Sequence, residues 1–298
     1  MPPPKLRENI DAHTAFKRIA WECLSQLQDN QEIVLHGTDV VEGVHQMRVA
    51  LRRLRAAFSL FRKVLERENI VTLLAEVNWL TDTLGKARDI EVFVTQTLPA
   101  VTIDFKNHSG LQKLHNKALN VQIKAYKDVR ATLSSQRYHH FLQTLANWLE
   151  NESWRKNTQN PKHNNVLDIA ITALERRYHQ LCQCGKHLSR MHPERRHAAR
   201  IAAKKLRYTA EFFTSLYPSV KSRAFIRNLS QLQNHLGILN DIATIENLLH
   251  QLIGSSTDES LNEALHIIVG WNACNAISSL GKTDKAWKTF ISKKPFWR

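Results

Sequence analysis

Apolar residues recur every three or four positions along almost the whole chain, and the Val-Ile-Thr alternation of half-buried strands is absent. This periodicity predicts nine or ten helices, at roughly 9–30, 43–66, 69–98, 108–134, 137–150, 164–183, 193–216, 219–253, 258–280 and a short 283–291. Their ends coincide with the stop signals Pro99, Ser109-Gly110, Gly185, Pro193, Pro218 and Gly254-Ser255-Ser256. The polar stretch between Glu150 and Asn165 reads as a linker over 151–163, separating a first helical repeat at 9–150 from a second at 164–291 within one domain of 1–298.

Composition supports an all-α fold. The chain has 298 residues with only 9 Gly and 8 Pro, roughly half the usual ~12% share, and β-turns consume both. Charge adds a demand for a partner: 42 Lys and Arg against 27 Asp and Glu leave a formal +15, which calls for an anionic ligand. Cys23, Cys182, Cys184 and Cys274 form no disulfide framework, which favours a reducing compartment. The first residues, MPPPKLREN, lack the apolar core of a signal peptide, and no apolar run approaches the ~20 residues of a membrane span. The expectation is a soluble cytoplasmic protein without membrane contact.

Two motifs repeat. His45-Gln-Met-Arg48-Val-Ala-Leu-Arg52-Arg53-Leu-Arg55 aligns with His197-Ala-Ala-Arg200-Ile-Ala-Ala-Lys204-Lys205-Leu-Arg207, and Leu84-Gly85-Lys-Ala-Arg88-Asp89 aligns with Leu236-Gly237-Ile-Leu-Asn240-Asp241. The same offset of 152 residues separates His45 from His197 and Asp89 from Asp241, which predicts two pseudo-symmetric helical bundles from an internal duplication.

At 100° per residue, His45, Arg48, Arg52 and Arg55 fall within an arc of about 80° on one helix face, as do His197, Arg200, Lys204 and Arg207. Arg53 and Lys205 flank these arcs. Met47, Ala50, Leu54, Phe58 and Phe61 form the opposite, apolar stripe. Solvated helix faces usually mix signs, because like charges one turn apart cost a few tenths of a kcal/mol each. Here no acid intervenes between Glu42 and Glu66 or between Glu194 and Glu211. Two rows with the same unfavourable spacing are explained by a ligand carrying a row of anions, which guanidinium forks grip bidentately. The histidines add donors that strengthen as pH falls.

The Gly-x-x-x-Asp pairs read as structural support: Gly85 and Gly237 allow close helix approach, and Asp89 and Asp241 are placed to fix an arginine of a neighbouring helix. Arg88 has Asn240 as its counterpart, so its charge exists in one half only. Cys182, Cys184, His187 and His192 have ligand-like spacing, but thiols two residues apart on a helix point about 200° apart and the other half has no equivalent. No metal or other cofactor is expected.

These motifs, in this order over almost the whole chain, resemble the CHAD domain, the conserved histidine α-helical domain. The resemblance implies two pseudo-symmetric helical bundles with a basic surface or channel between them, binding of inorganic polyphosphate, and association with polyphosphate granules. It carries the binding role onto His45, Arg48, Arg52, Arg53, Arg55, His197, Arg200, Lys204, Lys205, Arg207 and Tyr208, with Arg88 added from the second motif. The sequence departs from an exact repeat at Lys204-Lys205, where the first half has Arg-Arg, and at Ser59, where the second half has Glu211. Many relatives carry a CYTH domain with a Glu-x-Glu-x-Lys signature; here Glu66-Arg-Glu68-Asn-Ile70 places Ile where Lys is required.

Two other functions compete with a non-catalytic polyanion binder. A nucleic-acid-binding helical protein is disfavoured because the arcs carry no stacking aromatics apart from Tyr208 at their edge. A phosphate-ester enzyme is disfavoured because there is no Gly-rich phosphate loop, and Arg196-His197-Ala198 lacks the α/β scaffold of histidine phosphatases. Few acids lie near the rows to hold Mg²⁺, Glu211 being the best placed.

Overall fold

The computed structural model describes residues 6–152, 155, 165–185, 188 and 191–298, with the backbone alone at 67–69, 193 and 239–244. Its elements are helices: α1 Ala12–His36, α2 Val40–Phe61, α3 Arg67–Val92, α4 Leu98–Asp104, α5 Ser109–Leu133, α6 Gln136–Glu150, α7 Val166–Cys184, α8 Pro193–Phe212, α9 Val220–Ile253 and α10 Glu259–Ile291. Among the described residues the extended pairing is confined to two isolated bridges, Asp11 with Asn165 and Leu65 with Arg155.

The two halves use matching neighbours. α1 packs on α2 and α2 on α3; likewise α7 packs on α8 and α8 on α9. Capping supports the local reading: Asp39 accepts from the Glu42 N–H at the start of α2, and Ser219 and Ser222 form a reciprocal capping box at the start of α9. The predicted apolar stripe of α2, from Met47 to Phe61, is buried throughout. Phe16 of α1 meets Phe58 and Phe61 of α2 and Trp148 of α6 with ring centroids 5.9, 5.8 and 5.8 Å away. Such buried aromatics contribute roughly 1.5–3 kcal/mol each.

Packing is not partitioned by half. The larger apolar cluster draws on α1 to α3 and α6, but also on α7 to α10. A second cluster joins the end of α3, α4 and the start of α5 to the end of α9 and the start of α10. Gly110 lets α5 and α10 meet there, since a Cβ at this position would lie 1.8 Å from the Ser260 carbonyl oxygen.

Three predicted boundaries differ from those observed. Pro99 does not end a helix: a π turn at Phe93–Thr97 shifts the hydrogen-bond register, the Leu98 N–H reaches the Phe93 carbonyl, and α4 carries on with Pro99 in its first turn. The helices predicted at 258–280 and 283–291 are one, α10, because burial of Ala276, Ser279, Thr283 and Trp287 on one face outweighs the ~1 kcal/mol cost of Gly281 in its interior. The helix expected at 193–216 ends at Phe212, followed by a 3₁₀ turn at Thr214–Leu216 ahead of Pro218.

Candidate anion-binding site

On α2 the row is half-exposed at His45, Arg48 and Arg52 and exposed at Arg55. The Arg52 Nε donates to the Arg48 carbonyl at 3.2 Å, laying its side chain back along the helix. Arg48 crosses to α3, where its Nη1 sits 2.9 Å from the point a Cβ on Gly85 would occupy. Any side chain at 85 would displace that guanidinium. Burial pulls the Arg48 pKa below its ordinary value; Asp89 opposes this, and Arg52 and Arg88 add to it. His45 is pulled below the usual histidine range, first by burial; Glu42 opposes the shift and Arg88, Arg52 and Arg48 reinforce it. Arg88 of α3 is thus within electrostatic reach of His45 and Arg48 on α2.

On α8, Arg200 lies beside Gly237, its Nη2 and Nε 3.9 and 4.0 Å from a would-be Cβ. Arg207 is held by three neighbours: Glu211 at 3.3 Å, the Ser230 hydroxyl at 3.4 Å, and the Tyr208 ring, whose centroid is 5.4 Å from its Cζ. Lys204 is half-buried, while Lys205 and His197 are exposed. Residues of α2 and α8 act on one another electrostatically. Tyr208 is close enough to act electrostatically on Arg48, and Glu211 is acted on by Arg53 and Arg52. α2 and α8 are in direct contact, with Phe61 and Phe213 rings 6.4 Å apart.

Arg53 departs from the expectation that it flanks the ligand-facing arc. It is 7% exposed, with its Cζ 5.5 Å from the Phe212 ring and its Nη2 3.9 Å from Glu22. It therefore ties α2 to α8 and α1, and its planar cation suits an aromatic face. Asp89 does not clamp an arginine: it is exposed, and among the described residues no carboxylate–guanidinium pair within 4 Å joins it to Arg48 or Arg88. Although the residue is exposed overall, desolvation of its carboxyl by the surrounding side chains raises its pKa, against the pull of Arg48 and then Arg88. Asp89 lines a cavity of about 640 Å³ together with Lys86, Lys124 and Asp128.

The side chain of Asp241 lies outside the described residues, as does His187. Cys182 and Cys184 are free and half-buried, His192 is exposed, and no grouping of three metal-type ligands occurs among the described residues.

Around the end of α2 lie further cations that the sequence reading did not include, Arg62, Lys63, Arg176 and Arg177. Arg62 was accessible to it, because 48, 52, 55, 59 and 62 continue one four-and-three spacing. Arg177 was not, because it reaches Ser59 from α7, where its Nη2 donates to the Ser59 hydroxyl at 3.2 Å.

The model of the CHAD domain family matches residues 18–250. Among solved structures, the chain is similar to the crystal structure of the CHAD domain from the plant Ricinus communis, with a TM-score of 0.79 and 26% identity over 97% of this chain and 96% of that one. It is also similar in fold to PptA from Streptomyces chartreusis, with a TM-score of 0.69 and 16% identity over 93% of this chain and 98% of that one. No curated protein matches the sequence. Among the described residues, no helix is long and apolar enough to cross a membrane. With its paired basic helices, their glycine-backed arginines and a family match across most of its length, the chain belongs to the CHAD domain family.

Proposed function

We propose that the protein binds inorganic polyphosphate and does not turn it over. The observation that carries this reading is the meeting of the two basic helices: Arg48, Arg52 and Arg55 on α2 and Arg200, Lys204 and Arg207 on α8 occupy helices in direct contact, backed by glycines in matching places. A flexible chain of phosphates, with a charge on every unit and no bases to stack or read, complements such rows. Family membership supports it, since the CHAD domain is associated with polyphosphate. The non-catalytic part is supported by two acids beside the rows. Glu211 is engaged by Arg207 and faced by Arg53 and Arg52, and Asp89 is faced by Arg48 and Arg88, so both serve as counter-ions to the rows. A location on polyphosphate granules in the cytoplasm follows from this reading and is checked by imaging a fluorescent fusion against stained granules.

The test is a competition series at fixed salt between long polyphosphate, tripolyphosphate and single-stranded DNA. Long polyphosphate is expected to win at equal phosphate concentration, and its affinity is expected to fall by roughly 10³ to 10⁵ between about 50 and 200 mM salt if six to ten cations engage. Parity with DNA, or a flat salt profile, overturns the reading. No phosphate should be released from polyphosphate, ATP or tripolyphosphate with Mg²⁺ or Mn²⁺ present; release that disappears in Glu211→Gln shows an enzyme instead.

A further inference from the structure

The α2 row does not stop at Arg55. Ser59 and Arg62 lie on the same helix face, so from His45 to Arg62 the row runs about 25 Å at ~1.5 Å per residue. Between Arg48 and Arg62, Ser59 is the only row position without a charge. Arg177 of α7 fills that place through its hydrogen bond to the Ser59 hydroxyl at 3.2 Å. Its Nε is buried and makes no hydrogen bond among the described residues. Burial first, and then Arg176 and Arg62, push its pKa below the ordinary value. Holding these cations together is unfavourable without an anion.

Space for an anion exists on both sides. A cavity of about 870 Å³ opens between the end of α2 and α3, and one of about 610 Å³ opens between the end of α2 and α7. Ser59, Arg62 and Lys63 line both, so the end of α2 forms a ridge between two basic hollows. Arg55 joins the first to the motif row, and Arg176 lines the second; Glu66 and Asp168 contribute one acid to each. On α8 the position matching Ser59 is Glu211, which turns back on Arg207 and ends the row with a negative charge.

We propose that the ridge of Ser59, Arg62 and Lys63 with Arg176 and Arg177 is a second anion subsite, which takes the continuation of a long polyphosphate chain after it leaves the α2 row at Arg55. The subsite extends the binding track at the α2 end only, because Glu211 closes the α8 row. This inference rests on the polyphosphate reading above.

The test uses the full chain carrying Arg62→Ala, Lys63→Ala and Arg176→Ala, all at exposed positions, and separately Arg177→Ala. A control triple, Lys282→Ala, Lys285→Ala and Lys288→Ala, removes the same charge from α10, which lines neither cavity. Affinities for tripolyphosphate and for chains of many tens of phosphates are measured across a salt series. The ridge triple is expected to weaken long-chain binding about tenfold or more and to flatten its log–log salt slope by ~2 to 3. Tripolyphosphate, which is too short to span both regions, is expected to be held as before, and the control triple to change neither. Arg177→Ala is expected to act in the same direction with a smaller loss.

Equal weakening of both probes, equal weakening by the control, or no change in any variant overturns the subsite. A wild-type chain that binds neither phosphate probe removes the parent reading as well. A wild type that binds both, with variants that match it, removes the subsite alone.

Discussion

Arg48 and Arg200 hold the same place in the repeated motif, yet they rest on their glycines differently. The Arg48 guanidinium is pressed to 2.9 Å from the space above Gly85, whereas Arg200 keeps 3.9 Å from the space above Gly237. The contrast widens along the helices. Arg53 is buried on Phe212 beside Glu22, but its counterpart Lys205 is exposed, because Leu174 stands at the place of Glu22 and Leu60 at the place of Phe212. Ser59 receives an arginine where Glu211 captures one. The cations of the repeated motif are kept in both halves, while the residues behind them have diverged. The repeat retains its cationic positions and leaves their supports to local packing.

The sharpest way to break this comparison is to delete each row. Arg48→Ala, Arg52→Ala and Arg55→Ala together, or Arg200→Ala, Lys204→Ala and Arg207→Ala together, are expected to lower polyphosphate affinity by about a hundredfold or more at low salt, because one chain spanning both rows couples their engagement. The α2 triple is expected to cost more: it removes three guanidinium forks, while the α8 triple removes two forks and an ammonium. If each triple merely halves the stoichiometry and leaves the remaining affinity intact, the rows act separately. Neither triple is expected to unfold the protein, since these side chains lie away from the buried stripe.

Next in size is stability. Arg53→Ala removes a cation from an aromatic face and the packing of its stem, and is expected to cost about 2 kcal/mol, seen as a Tm lowered by ~3 °C. Lys205→Ala is expected to stay within ~0.5 kcal/mol of wild type. Equal Tm losses from the two would erase the distinction between a buried tie and an exposed cation.

A smaller effect tests the closed end of the α8 row. Glu211→Gln frees Arg207 and is expected to raise polyphosphate affinity about threefold at neutral pH. Burial raises the Glu211 pKa, with Arg207, Arg53 and Arg52 opposing, so protonation as pH falls should do in the wild type what the substitution does. His45 works in the same direction: its pKa is depressed in the free protein, a polyanion draws it upward, and binding takes up a proton, so affinity rises as pH falls through the histidine range. In titrations at several pH values, Glu211→Gln and His45→Gln should each remove part of this rise. A pH-independent affinity in the wild type contradicts both assignments.

The smallest expected difference concerns the glycines. Gly85→Ala is expected to push the tip of Arg48 aside and weaken binding by about two- to threefold, while the gain in helix propensity of up to ~1 kcal/mol keeps the Tm level or higher. Among the described residues, Gly237→Ala meets ordinary van der Waals distances, and it is expected to leave affinity unchanged. The same loss in both variants would mean that the 2.9 Å approach at Gly85 has no special consequence.

Much of the helical fold and the row spacing was legible because both are short-range. The buried stripe from Met47 to Phe61 and the cation face from His45 to Arg55 are consequences of 3.6 residues per turn, and any helix through those residues must separate them. Gly85 and Gly237 were also legible as places of close approach, although that arginine tips, and not a whole helix, come nearest their missing Cβ atoms was not. Stops were less legible. Pro99 and Gly281 are breakers by propensity, and each is overridden by something outside its own window: a register shift upstream for Pro99, and burial of flanking residues for Gly281.

Sequence by itself determined that the chain is helical, that two cationic rows recur 152 residues apart, and that each row faces away from an apolar stripe, because these depend on periodicity within a single helix. Only the tertiary structure decided that Arg53 turns inward, that Arg177 arrives at Ser59 from 118 residues away, and that the two apolar clusters are shared between the halves. Those outcomes depend on which surface of another helix covers a given position, and helical periodicity carries no information about the covering partner.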